Sequence, residues 1–422
     1  MKKLISLLTI TSLFFSCGED KVPIIQTGKT PEEPTVEVKK IELTEKEKQI
    51  VDQTNVFAFN FFRTVAANED PNKNILVSPL SASLALCMLN NGANGPTHDE
   101  IQQALGFGDF TREEMNSYFK KIIESLKDLE EDVTFETANS IWIDHLFPVL
   151  APFINVNQEY YDAEVRNEDF NNPETLKLIN NWCSEKTHGK IPEILNNIDA
   201  SSVMYLINAL YFKGVWGILF DKDHTRESSF NNLNGSIVNI PMMNKRETSV
   251  QYTYNEQCVM AEVPYGLGAF SMVFLLPKED TSLSQIVEVL DVSYWLNLQS
   301  TMWPRNTNLK IPRFKVEYER DINDDLKSLG MNTMFSDADA DFSLINDTDP
   351  IFVSLVKQKT NINVNEEGSE ATAVTIIGMV GASGIGPQYQ DFFLDKPFLY
   401  FIKEQSTGAI LFMGQINNLL SE

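Results

Sequence analysis

Catalysis or metal binding in this 422-residue chain would have to be assembled from four His, four Cys and 59 carboxylates. His98, His145, His188 and His224 include no H-E-x-x-H pair, the spacing that puts two imidazoles and a general base on one helical face. Asp337, Asp339 and Asp341 begin like a calcium loop, yet Phe342 stands where the sharp turn requires glycine and Thr348 where a bidentate glutamate belongs. Ser383, between Gly381 and Gly384, lacks the G-x-S-x-G spacing of a nucleophile elbow. Gly378, Gly381, Gly384 and Gly386 make no phosphate-cradling fingerprint, because no strand-turn-helix context surrounds them. Cys17, Cys87, Cys183 and Cys258 contain no C-x-x-C pair, so they form neither a zinc site nor a dense disulfide framework. These residues predict no enzyme, no cofactor and no metal site. The 34 Lys+Arg are scattered through a chain of formal charge −25, without the clusters that displace counterions from a phosphate backbone, which excludes nucleic acid as a partner.

The informative stretch runs from Asn365 to Lys396. Taken as a strand, Ser369, Ala371, Ala373, Thr375, Ile377 and Met379 share one face, small or apolar throughout and suited to a sheet core. Glu370, Thr372, Val374 and Ile376 take the other face, and a glycine-rich segment to Gly386 follows. By pattern alone, an ordinary edge strand followed by a mobile loop fits equally well.

The elements around this stretch fall into two halves. Ile50, Thr54, Phe57, Phe61 and Val65 recur near a 3.6 period from Glu45 onward, predicting an amphipathic helix. Ser81 to Asn90 is apolar almost all round and reads as a buried helix, with charged helices at Arg112 to Leu129 and Glu174 to Thr187. Strands are predicted at Val203 to Phe212, Val259 to Pro264, Phe270 to Leu276, Leu309 to Tyr318, Phe352 to Val364, Phe398 to Ile402 and Ala409 to Gln415. Helices early and strands late, without strand-helix alternation, predict an α+β class. No interior linker divides the chain, and one domain over residues 46–422 is the simplest organisation.

Residues 1–17, MKKLISLLTITSLFFSC, pair two Lys with an apolar run and end in Ser16 and Cys17. The run is a secretory signal, too short to span a bilayer as a mature helix. Cys17 at the cleavage position resembles the bacterial lipoprotein signal, whose thiol is acylated; an ordinary signal with an incidental Cys17 is the alternative. Residues 18–45, with Pro23, Pro31 and Pro34 among polar residues, read as a flexible tether. Gly18, Glu19 and Asp20 resemble surface-export signals of some Gram-negative lipoproteins, so the expected location is the bacterial outer membrane, periplasmic or surface-exposed.

From about Glu47 to Leu419 the chain resembles a serpin, a member of the serine protease inhibitor superfamily. The resemblance is carried by NILVSPLSASLALCMLNNGANGPTHDEI at 74–101, by Asn180, Trp182, Thr187, Gly189, Lys190 and Ile191, and by INALYFKGVW at 207–216. Ile240, Pro241, Met242 and Met243, then EVPY at 262–265, LLPKE at 275–279 and FFLDKPFLYFI at 392–402, follow in family order.

This resemblance implies a fold of three β-sheets, about eight or nine helices and an exposed reactive-centre loop. It implies a monomeric suicide-substrate inhibitor of serine endopeptidases, with cysteine endopeptidases as a further target class. The protease attacks the loop, and the severed loop enters the main sheet as an extra strand, trapping the acyl-enzyme. A non-inhibitory serpin acting as a binding or storage protein is the alternative. Glu366, Glu367, Gly368, Ser369, Glu370, Ala371, Thr372, Ala373, Val374 and Thr375 match the inhibitory hinge. The family's count from Gly368 puts the reactive bond between Ala382 and Ser383, with Met379 and Val380 as the alternative pair. Small residues there imply an elastase-like or broadly specific target rather than a trypsin-like one. Ser78, Ser81 and Asn208 match the shutter beneath the opening sheet, where Gln358 replaces the usual His. Trp216, Arg313 and Glu366 align with the breach at the sheet's upper end, where a cation and Glu366 are expected to pair.

Overall fold

A computed structural model describes residues 38–199, 201–369 and 388–420, and the contacts of residues 38–422 form one unit. Among the described residues there are nine α-helices: α1 (Glu45–Asn68), α2 (Pro79–Asn90), α3 (Gly95–Ala104), α4 (Arg112–Lys127), α5 (Ala151–Tyr161), α6 (Pro173–Lys186), α7 (Leu283–Val289), α8 (Val292–Ser300) and α9 (Asn323–Ser328). α1 starts where Thr44 and Glu47 form a capping box, and its stripe Ile50, Thr54, Phe57, Phe61 and Val65 is buried as its period requires. α2 begins at the N-cap Ser78 with Pro79 in its first turn, and lies buried on nearly every side. The folded body starts before the expected boundary at 46. Within the segment read as tether, Ile41 is buried and its N–H donates to Ser406 Oγ at 2.8 Å.

The strands are β1 (Ile75–Val77), β2 (Val133–Asp144), β3 (Glu164–Glu168), β4 (Met204–Val215), β5 (Arg226–Asn231), β6 (Ile237–Tyr254), β7 (Cys258–Pro264), β8 (Phe270–Pro277), β9 (Trp303–Pro312), β10 (Phe314–Asp321), β11 (Lys357–Asn365), β12 (Gly368–Ser369), β13 (Gln390–Phe393), β14 (Phe398–Glu404) and β15 (Ile410–Ile416). They form two hydrogen-bonded assemblies. A nine-stranded one runs β1-β15-β14-β8-β7-β6-β9-β13, with β5 also on β6. The long β6 joins what would otherwise be two sheets: its first part pairs with β5, its last residues with β7, and β9 spans the middle. The second assembly is ordered β10-β11-β12-β4-β2-β3, so two continuous assemblies stand where three sheets were expected, because β6 runs unbroken through the first.

Three strand expectations shift. The single strand expected over 309–318 is two strands in different sheets, because the chain crosses between them at Arg313. The strand expected from Phe352 begins only at Lys357; before it, Val353 N–H bonds Met334 O at 2.8 Å instead of entering a ladder. β2, twelve residues long, was not expected from the pattern.

A large core lies between the helices and both sheets, and a smaller one, around Trp142, Ile179, Trp182 and Ile207, seats α6 on the opposite face of the six-stranded sheet.

Candidate functional site

The six-stranded sheet contains a slot. β12 is antiparallel to both neighbours, Ser369 pairing with Gly214 of β4 and with Val364 of β11, so β4 and β11 run parallel with one strand's place between them. Among the described residues, β4 and β11 are joined only through β12, at the upper end. Two voids border the slot. A void of about 10 Å³ lies beside Ser369, Leu210, Phe212 and Ile362. At the base is a cavity of about 300 Å³, bordered by Leu86, Leu89, Leu206, Asn208, Phe342, Val356 and Gln358. At the far side of residues 370–387, β13 pairs in parallel with β9 at the edge of the nine-stranded sheet, Gln390 opposite Thr307.

The upper end is tied by directional bonds. Gly368 has φ +135°, and a Cβ there would stand 1.9 Å from Gly214 O, so only glycine fits between the two strands. Trp216 Nε1 donates to Asn365 O at 2.8 Å, and its backbone N–H to Glu367 O at 3.2 Å. Glu366 is 2% exposed and takes Arg313 Nε on both carboxylate oxygens at 2.9 Å, with Thr225 Oγ1 as a further donor. Burial opposes the charge of Glu366, but the hydrogen bonds from Arg313 and Thr225 outweigh it and hold the carboxyl below its ordinary pKa. Lys222 pairs with Glu367 at the surface. Arg313 and Glu366 are thus paired, Trp216 bonds the residues on either side of Glu366, and the crossover at Arg313 is what delivers the cation.

The shutter forms in part. Gln358 is 5% exposed and clamps the backbone of Ser78 from both sides: its Oε1 accepts Ser78 N–H at 3.0 Å and its Nε2 donates to Ser78 O at 2.8 Å. Ser78 Oγ donates to Leu411 O at 2.8 Å and accepts Ser81 N–H at 3.2 Å. Asn208 does not join them. Its Nδ2 donates to Thr137 Oγ1 and Asn139 Oδ1 of β2, at 3.0 and 2.8 Å, and its buried Oδ1 has no partner among the described residues.

Of the expected hinge, Glu366, Glu367, Gly368 and Ser369 are described; Glu370, Ala371, Thr372, Ala373, Val374 and Thr375 lie outside the described residues, as do Met379, Val380, Ala382, Ser383 and Cys17. Sequence spacing missed Tyr265, whose hydroxyl lies 2.6 Å from Ser369 Oγ. It also missed that Asp144, His145 and Asp169 each bring a ligand-type atom within 4.8 Å of the others. Both carboxylates there already cap turns, accepting N–H groups from Leu146, Phe170 and Asn171. Cys87, Cys183 and Cys258 are free and buried, and burial pushes each thiol up, so none offers a thiolate near neutral pH.

The parallel strands β4 and β11 with β12 between them at one end, and β13 on the other assembly, are the geometry on which the family comparison bears. The family model "Serpin (serine protease inhibitor)" matches residues 52–419, and the chain belongs to that family. It is 33% identical to Iripin-2 of Ixodes ricinus over 383 residues, covering 89% of this chain and 95% of that protein. It is 33% identical to human neuroserpin over 367 residues, covering 84% and 88%. Among solved structures it is similar to tengpin, a thermophilic serpin, in the native state, with TM-score 0.80, 33% identity and 90% and 96% of the two chains covered.

Proposed function

We propose that this serpin is a single-use inhibitor of an endopeptidase that prefers small residues. The observation that carries the reading is the slot: β12 already occupies its upper end, and its register fixes what would follow. Continued past Ser369, the same register puts Ala371 between Phe212 and Ile362, Ala373 between Leu210 and Thr360, Thr375 between Asn208 and Gln358, and Ile377 between Leu206 and Val356. Every inward residue of that run is small or apolar, so it can replace solvent in the slot and complete two ladders. While the chain is whole, β13 holds its far end on the other sheet.

The protease hydroxyl or thiol attacks the scissile carbonyl, the C–N bond breaks, and the amine leaves with the proton as a new amino terminus. An ester or thioester then joins the protease to the inserting segment. Trapping requires insertion to outrun hydrolysis of that bond. Gly381, Ala382 and Ser383 offer no large or charged side chain to a specificity pocket, with Met379 and Val380 as the alternative bond. Lys359 sits in β11 paired with Glu319 at 2.9 Å, which supports weak attack by trypsin-like enzymes. In this reading the inhibitor is a monomer, acylated at Cys17 and held at the outer membrane.

Incubation with a panel of elastase-like, trypsin-like and cysteine proteases, followed by a denaturing gel and mass mapping of the cut, tests the reading. A gel-stable complex with an elastase-like enzyme is expected, cut within 379–383. Clean cleavage with every protease and no complex would instead make this a non-inhibitory serpin.

A further inference from the structure

The upper end of the slot contains a buried hydroxyl pair that the loop's entry does not by itself require. Tyr265 is fully buried, and its Oη makes its hydrogen bond to Ser369 Oγ at 2.6 Å. Its ring is fixed: it stacks on Trp216, centroids 4.7 Å apart and planes within 5°, and meets Phe212 edge-on at 5.1 Å. The backbone on either side is stitched to β4 and its exit, Gly266 N–H to Val215 O at 2.7 Å and Gly217 N–H to Pro264 O at 2.8 Å. Burial pushes the phenol upward, so it stays protonated, and either hydroxyl of the pair can donate to the other.

A two-residue strand specifies register weakly, and a slip of one residue turns every following side chain to the opposite face. Here a slip would carry Gly368 or Glu370 to the level of Tyr265; a slip of two would bring Ala371. None of these puts a hydroxyl there, and Glu370 would bury a charge. The next inward hydroxyl after Ser369 belongs to Thr375, so the phenol is satisfied in one seating only.

We infer that Tyr265 is a positioning residue that pins the register of the incoming strand before cleavage, by holding Ser369 at its native level. The inference rests on the inhibitory reading above. Insertion then starts from a seated, correctly phased end, and its rate scales with the fraction of molecules so seated. Losing the partner of one buried polar group shifts such an equilibrium by about tenfold.

The test uses the full chain with Tyr265→Phe, Ser369→Ala and the double variant. The loop is nicked by a protease that is not trapped, and the time to acquire heat resistance is followed. With an elastase-like enzyme, the moles of inhibitor consumed per protease trapped are counted. Each single variant should insert about tenfold more slowly and consume several times more inhibitor, with an unchanged rate of loop cutting. The double should be no worse than either single, because the two hydroxyls act as one unit. Variants that insert and trap like the parent overturn the inference, as does a lowered melting temperature of the uncleaved form with unchanged partitioning. If Tyr265→Phe fails to fold, Ser369→Ala decides alone, since it leaves the aromatic stack intact. A parent that neither traps nor gains heat resistance would fail the inhibitory reading itself, a result visible without any variant.

Discussion

The two ends of the slot are built from different materials. Around Ser369 the contacts are directional: an ion pair at Glu366, indole bonds to the hinge backbone, a phenol on a serine, and a void of only about 10 Å³. At the base a cavity of about 300 Å³ has mostly apolar walls, among them Leu86, Leu89, Leu206, Phe342 and Val356, with Asn208 and Gln358 as polar members, and Gln358 also clamps Ser78. Polar bonds specify position, whereas unfilled apolar volume stores free energy that a well-shaped chain can release. On the inhibitory reading, the upper end would decide how a strand enters, and the base would supply the gain when it arrives.

The largest effect should come from filling the base. Burying Ile377 and Met379 is worth about 3–6 kcal/mol in side-chain transfer, before any ladder bonds. Nicking the loop should therefore raise the melting temperature by about 4–8 °C from these two side chains alone, read by calorimetry. An unchanged melting temperature would mean that the slot does not fill.

A smaller, site-specific effect separates the inward from the outward face. Ala371→Arg would drive an unpaired cation between Phe212 and Ile362, at a cost of several kcal/mol, and should turn the inhibitor into a substrate cut at the same bond. Thr372→Arg, facing out, should change the partitioning less than about twofold. Equal trapping by both variants would place the register off by one.

The smallest effect concerns pH. The carboxyl of Glu366 lies below its usual value, so its stabilisation is present at and above about pH 4.5 and is lost as pH falls through the lower folded value. Gln358 does not titrate, so position 358 gives the parent no pH dependence of its own, and the variant is read as its difference from the parent, which removes the contribution of groups such as His98, whose imidazole is held below its ordinary value by burial. In Gln358→His, burial would disfavour the imidazolium and lower its folded pKa beneath the ordinary value of about 6.5. The unfolded chain then binds more protons, and the variant should lose stability as pH falls below about 6.5. A flat difference profile would show that position 358 is not sealed from water.

Much of this arrangement was legible in the sequence where periodicity or local order carries it. The stripe of α1 and the strands β7 and β8 are one-dimensional patterns. β2 escaped because its end is buried on both faces: Ile141, Trp142 and Ile143 are all covered, α6 and the small core taking one side, so polar alternation is erased. The split at Arg313 was hidden because the residues on either side are equally strand-like, and only the change of sheet separates them. Asn208 was expected beside Ser78, but its amide is taken up by β2, a choice between neighbours that no spacing reveals. Tyr265 and Ser369 are 104 residues apart, and their meeting depends on two sheets being in place.

The placement of the last strands has a consequence for what remains after the reaction. β14 lies between β15 and β8, with Leu399, Tyr400 and Phe401 fully buried. A cut between Ala382 and Ser383 leaves residues 383–422 as a separate polypeptide that nevertheless contributes two central strands of the nine-stranded assembly. On the inhibitory reading the spent protein would be an obligate two-chain body. Its short chain would be retained by burial rather than by a peptide bond, and the trapped protease would be esterified only to the long one, so denaturation should release an unmodified carboxy-terminal peptide for every complex formed.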